Sequence, residues 1–232
     1  MRSHSKLLLT LLTALFLAAC SSSTDQQKKS AEAERATPPA PEKAPTPTPA
    51  PAPKPTPAPA PEEKPKTFKV RFTTSKGPVL IEVHPDWAPL GAEQFRKLVT
   101  AKYFDGVRFF RIVPNFVVQF GLAANPAVTK KWDVAITDDP VTQTNRTGAL
   151  SFATMGPGTR TTQIFINLKS NPSLDTQGFA PFAQVIEGME IIEHLYGGYG
   201  EQPDQGAITS QGNAYVEKSF PNLDYIKTAT IL

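Results

Sequence analysis

The residues with the most pointed chemistry are Arg111 and Gln119. They lie in the stretch Phe109-Phe110-Arg111-Ile112-Val113-Pro114-Asn115-Phe116-Val117-Val118-Gln119-Phe120-Gly121, where their neighbours are apolar. A guanidinium among aromatic side chains is costly to bury unless something orients it and accepts its hydrogen bonds. A glutamine amide can do both, and the pair then offers a fixed, permanently charged donor on an apolar surface. The plainer alternative is an edge-strand arginine whose stem lies along apolar surface with its head in water.

The elements around the pair decide between these. Both arms are β-branched and aromatic and flank Pro114-Asn115, which reads as a hairpin. A two-residue loop sets Arg111 opposite Val118. A three-residue loop ending at Phe116 sets Val113 opposite Val117 and Arg111 opposite Gln119. Both loops are common, and only the second makes chemical sense of the arginine and the amide.

Other chemistries find little support. A single cysteine, Cys20, rules out an intramolecular disulfide. His4, His84 and His194 are far apart, with no metal-ligand spacing. There is no Gly-x-Ser-x-Gly elbow and no phosphate-binding Gly-Lys-Ser/Thr. The formal charge of +3 resides outside the main body of the chain. Arg2 and Lys6 lie near the start and residues 21–66 hold seven basic and six acidic side chains, so the 24 basic and 21 acidic residues leave 15 of each in 67–232. No basic stripe suggests a nucleic-acid partner.

The chain divides at 20 and 66. Residues 1–20 have a basic start, an apolar run from Leu7 to Ala19 too short to span a bilayer comfortably, and small residues before Cys20. This is the layout of a signal peptide. Leu17-Ala18-Ala19-Cys20 resembles the lipobox of bacterial lipoproteins, which implies that Cys20 is acylated and anchors the chain to a membrane. Ser21, rather than aspartate, follows, which favours the periplasmic face of the outer membrane. Residues 21–66 read as a disordered linker, with 13 of the 24 prolines between Thr37 and Pro65 alternating with Ala, Thr and Lys.

Residues 67–232 read as one domain. Alternation predicts strands at 68–73 and 79–84, and three- and four-residue spacing of Phe95, Leu98 and Val99 predicts a helix over 92–101. After the hairpin, 121–147 lacks periodicity and reads as a long ordered loop that rims the site. Strands follow at 149–154, 163–168 and 179–185, then a short helix over 188–195 with Met189, Ile192 and Leu195 inward. Gly197-Gly198-Tyr199-Gly200 reads as a structural turn, and 223–232 as a last strand. Eight short strands and two helices suit a mainly β fold, a closed antiparallel barrel capped by helices.

The hairpin stretch resembles the cyclophilin peptidyl-prolyl isomerase signature, Phe-His-Arg-Ile-Ile-Pro-x-Phe-x-x-Gln-Gly-Gly. A second block resembles the same family in order and spacing: Gly148-Ala149-Leu150-Ser151-Phe152-Ala153, then Gly156-Pro157, then Thr161-Thr162-Gln163-Ile164-Phe165-Ile166. The resemblance covers about 67–232 and implies a barrel fold, prolyl isomerisation without metal or cofactor, and proline-containing polypeptides as substrates for a monomer. It implies catalytic roles for Arg111, Gln119 and Phe116. Phe116, Val117, Phe165 and Leu174 would line a proline pocket, with Phe179 beside it, while Gln163 and the backbone of Ala153 and Thr154 hold the flanking peptide. The plain reading of the apolar members is barrel core. Departures are Val117 for methionine, Thr154 for asparagine, Ser173 near a tryptophan position, Phe179 near a histidine position, and Phe120 and Leu122 for Gly and Asp. Losing the tryptophan removes a flat wall and a donor that cyclosporin-type ligands use. Two other classes stand beside the isomerase expected for exported polypeptides at the bacterial envelope: a peptide-binding module without useful turnover, and a passive envelope tether.

Overall fold

The computed structural model describes residues 66–232. The leader expected at 1–20 with its Cys20, and the proline-rich stretch 21–66 save Lys66, lie outside the described residues.

Eight strands form one antiparallel sheet: β1 (Phe68–Thr74), β2 (Pro78–Val83), β3 (Arg111–Val113), β4 (Val117–Phe120), β5 (Ala149–Phe152), β6 (Ile164–Asn167), β7 (Pro181–Glu187) and β8 (Ile226–Ile231). Their order is β3-β4-β6-β5-β7-β2-β1-β8. The closed barrel expected from the sequence is not formed. The sheet curls into an open half-barrel, because its end strands β3 and β8 share no ladder. Only irregular chain ahead of β3 crosses the gap, through an isolated bridge between Arg108 and Tyr225 and backbone bonds from Phe109 N to Asp224 O (3.0 Å) and Ile226 N to Val107 O (2.9 Å). The physical reason is the shortness of β3, whose Ile112 N donates instead to Gly200 O (3.2 Å) of a later turn. That contact also blunts an otherwise exposed sheet edge.

Strand alternation sorts the side chains. Val70 and Phe72 of β1, Val79, Ile81 and Val83 of β2, Val118 and Phe120 of β4, and Ile164 and Ile166 of β6 all enter one buried core. Against it packs α1 (Pro89–Thr100), through Phe95, Leu98 and Val99. Phe72 lies at the centre of an aromatic cluster, 6.0 Å from Phe95, 5.7 Å from Phe104 and 5.9 Å from Phe120, ring centre to ring centre. Burying each such ring is worth roughly 1.5–3 kcal/mol, so this cluster holds the sheet to the helix.

The two expected helices become five. Besides α1 and α3 (Met189–Glu193), there are α2 (Pro126–Trp132), α4 (Gln205–Gln211) and α5 (Asn213–Ser219). The stretch 121–147 is therefore not all loop. These added helices span seven residues each, too few for an apolar period to show, but two carry local start signals. Asn125 accepts from Ala127 N (2.9 Å) ahead of Pro126, and Asp204 accepts from Ala207 N (2.6 Å). α4 and α5 bring Ile208 and Val216 onto Phe110, Leu122 and Leu223 in a second small core outside the sheet. No helix among the described residues is long and apolar enough to cross a membrane.

The start of α1 is held from far away. Asp139 Oδ1 accepts from Leu90 N (2.9 Å) and Oδ2 from Gly91 N (2.8 Å), and Oδ2 also takes Arg160 Nη1 and Nη2, both at 3.1 Å. Both side chains are buried. Arg160 Nη2 donates to Thr137 O as well, and Nε lies 3.0 Å from Asp138 Oδ1 in an ionic contact without hydrogen-bond geometry. One ion pair thus fastens the helix, the 133–147 segment and the 154–160 loop together.

Candidate active site

The hairpin takes the three-residue loop. Arg111 pairs with Gln119, Ile112 with Val118 and Val113 with Val117. Pro114 follows Val113, Asn115 takes a left-handed φ of 57°, and Phe116 N donates back to Val113 O at 3.0 Å. That is a type II turn, for which proline and asparagine are suited at these two positions.

The register continues across the sheet. Gln119 lies opposite Phe165, and Phe165 opposite Ser151. Arg111, Gln119, Phe165 and Ser151 therefore form one transverse row over β3, β4, β6 and β5. Because side chains alternate, this row faces away from the main core, where Ile112, Val118, Ile164 and Ile166 point. The functional surface is the outer face of the same strands that build the core.

On that face a cavity of about 180 Å³ is bounded by Arg111 and Gln119 on one side and by Phe116, Val117, Phe165 and Leu174 on another. Ala153, Thr154 and Phe179 complete it. Pockets for drug-sized ligands run to roughly 300–1,000 Å³, so this one takes a small apolar group. Phe179 stands edge-on to Phe165 at 5.4 Å and forms the wall on the side of the 3-10 helix Pro172–Gln177. Ser173 of that helix is exposed and does not line the cavity.

The polar groups form a relay. Arg111 Nη1 donates to Gln119 Oε1 (3.3 Å), and Gln119 Nε2 donates to Gln163 Oε1 (2.8 Å). The relay separates the apolar cavity from a neighbouring polar one of about 380 Å³, which Gln163, Thr129 and Asp133 line. The 121–147 segment, expected to rim the site, lines this neighbouring cavity through Leu122, Thr129 and Asp133 and does not reach the apolar one. The Thr154 hydroxyl is engaged within its own loop, with Gly156 O and with Thr159 Oγ1 at 2.7 Å, which leaves the backbone there to meet a ligand. Tyr103 supports the floor from below, its hydroxyl within 3.0 Å of Gly121 O and 3.1 Å of Thr162 Oγ1. Burial raises the Tyr103 phenol above its usual pKa, so it stays a neutral donor.

The family model for cyclophilin type peptidyl-prolyl cis-trans isomerase matches residues 69–211. The chain belongs to this family. The cyclophilin is 35% identical over 133 residues to peptidyl-prolyl cis-trans isomerase ppi1 of Schizosaccharomyces pombe, a match covering 54% of this chain and 83% of the yeast protein. It is 30% identical over 132 residues to a peptidyl-prolyl cis-trans isomerase of Acinetobacter baylyi, covering 54% of this chain and 70% of that one. Among solved structures, a cyclophilin of Cryptosporidium parvum superposes with a TM-score of 0.54 at 23% identity, over 72% of this chain and 98% of its own. The same parasite protein has been solved in the presence of the dipeptide Ala-Pro, with a TM-score of 0.53 at 22% identity.

Every residue expected at the site of this cyclophilin lies at or beside the apolar cavity, with Gln163 on its polar flank. Sequence reasoning missed two parts of the surroundings. One is Glu201, whose Oε1 accepts from Arg111 Nε at 2.6 Å. The other is a chain of buried amides. Asn145 Oδ1 accepts from Ser151 Oγ (2.8 Å) and Asn167 Nδ2 (3.1 Å), and Asn167 Oδ1 accepts from Asn171 Nδ2 (2.8 Å), which also reaches Phe116 O at 3.1 Å. Asn145 Nδ2 donates to Phe179 O (2.8 Å). This chain fixes the backbones that carry Phe116 and Phe179. Its only sequence signal is three asparagines outside turns, where a buried amide must be paired.

Proposed function

We propose that this cyclophilin rotates X-Pro bonds in exported polypeptides, with the proline ring in the apolar cavity and Arg111 as the electrostatic catalyst. The observation that carries the reading is a guanidinium held by Gln119 at the lip of a small apolar cavity. Amide resonance sets a barrier of about 18–20 kcal/mol to rotation, and uncatalysed exchange takes tens of seconds or longer. No covalent bond breaks, so the enzyme needs only to bind the twisted amide more tightly than either planar form. In the twisted state the prolyl nitrogen regains its lone pair and accepts a hydrogen bond. A fixed guanidinium rewards that state. The walls of Phe116, Val117 and Phe165 strengthen the field by keeping water away and disfavour the charge-separated planar amide.

That the Cryptosporidium cyclophilin was solved in the presence of Ala-Pro supports a small proline-containing ligand for the shared fold. The test is exchange NMR of Ala-Pro peptides with the full-length protein. Line broadening of the cis and trans signals at substoichiometric enzyme is expected. The rate should be nearly flat from about pH 6 to 9, since guanidinium side chains keep their charge there and no acid–base step is involved. A bell-shaped profile in that window would remove the mechanism.

The lipobox-like Leu17-Ala18-Ala19-Cys20 and the proline-rich stretch after it support attachment to a bacterial envelope membrane, with the outer membrane's periplasmic face favoured and 21–66 as a spacer. Cys20→Ser is expected to release the protein from the membrane fraction or stall its processing. Unchanged fractionation, with no fatty-acid label on the wild type, counts against the anchor.

A further inference from the structure

We propose that Glu201 is a positioning residue for Arg111, and that it, more than Gln119, sets the guanidinium for turnover. The inference rests on the isomerase reading of the site.

Arginine has a long stem with roughly 2 kcal/mol of rotamer entropy. The bond to Gln119 alone, at 3.3 Å and between a cation and a neutral amide, is a weak restraint. Glu201 Oε1 sits 2.6 Å from Nε, a short charge-assisted contact. The two acceptors hold Nε and Nη1. Nη2 has no acceptor among the described residues, and Arg111 is 25% exposed at the cavity lip. This leaves one nitrogen free for a prolyl amide while the other two fix the plane.

The backbone that carries the carboxylate is itself anchored. Ile112 N donates to Gly200 O at 3.2 Å, tying the turn to the strand that carries Arg111. Gly200 N donates to Gly197 O (3.0 Å) and Gln202 N to Tyr199 O (3.0 Å), so both flanks of Glu201 are closed turns. Tyr199 is packed between Tyr196 at 5.0 Å and Phe220 at 5.1 Å. Although Glu201 is 62% exposed, its backbone is not free to drift from the arginine. A carboxylate here also opposes the arginine's field, so its presence is explained by geometry and not by added electrostatic pull.

Two measurements test this. In kinetics, E201A should lower kcat by about three- to tenfold with KM nearly unchanged, the scale of misorienting one charge-assisted bond. E201Q keeps an oxygen acceptor and should recover most of that loss. In proton–nitrogen NMR, the Arg111 Nε–H should exchange slowly with water in wild type and E201Q and rapidly in E201A, whether or not substrate is present. Circular dichroism should stay native, since the side chain is largely in water. An active wild type with E201A equal to it in kcat, or a rise in kcat for both variants, overturns the inference alone; the rise would make Glu201 a brake. A wild type that turns over no X-Pro peptide overturns the isomerase reading and this inference together, while the Nε–H exchange would still report the contact.

Discussion

Arg111→Ala should lower kcat/KM for X-Pro rotation by about 10- to 100-fold, the range set by one charge-assisted hydrogen bond of about 1.5–3 kcal/mol at about 1.4 kcal/mol per tenfold. Loss beyond that range would measure the part played by the water-poor wall. Arg111→Lys should recover little. A point-charge ammonium cannot meet Gln119, Glu201 and a prolyl nitrogen at once, as the planar fork can. Gln119→Ala should lose less than Arg111→Ala, because Glu201 still holds the guanidinium. Phe116→Ala should damage binding and rate together by opening the cavity to water. The side chain of Arg111 is on the outer face and not in the main core, so the variants should remain folded. An Arg111→Ala protein as active as wild type would leave no role for the guanidinium in turnover.

Asp139→Ala should destabilise the domain by about 3–5 kcal/mol. Removing the buried partner of an ion pair strips the other charge of most of its compensation, and here Arg160 would keep only Thr137 O and the half-exposed carboxylate of Asp138. The amides of Leu90 and Gly91 at the start of α1 would lose their acceptor as well. At about 2–4 °C per kcal/mol for a domain of this size, the midpoint should fall by roughly 6–20 °C. Asp139→Asn should lose less, since one oxygen can still accept. Replacing Asp139 and Arg160 together with apolar residues should be milder than Asp139→Ala alone, because no charge is stranded. Urea unfolding followed by circular dichroism measures all three. A change below about 1 kcal/mol for Asp139→Ala would mean that water reaches the pair and the latch contributes little.

The hairpin and its register were legible because strand alternation is short-range and the proline–asparagine turn leaves few loop lengths; the continuation of the row to Phe165 and Ser151 was not, because it depends on strands far apart in the chain. The apolar site residues were legible only by resemblance, since Val117 and Phe165 have the same composition and spacing as core. What the sequence could not show is what reaches the site from far along the chain. Glu201 follows a glycine-rich turn that has no chemistry of its own, and it meets an arginine 90 positions earlier. Asp139 caps a helix that begins 50 residues before it, so the start of α1 shows in the sequence only as Pro89 in its first turn, with no local side-chain cap beside it. The open side of the barrel also escaped notice, because strand count does not reveal that β3 is too short to close a ladder.

The transverse row on β3 to β6 has a consequence for folding. A slip of one residue in the pairing of β4 would exchange Val117 and Gln119 with Val118 and Phe120 between the two faces. It would drive a glutamine amide away from its Arg111 and Gln163 partners into the apolar core, and put a phenylalanine in the place of the relay, in the same step. The site cannot therefore be lost by register error while the core survives, nor can a mispaired intermediate carry a working copy of it. Turnover in this protein doubles as a readout of strand register, so a refolding chain should regain activity only as its core locks.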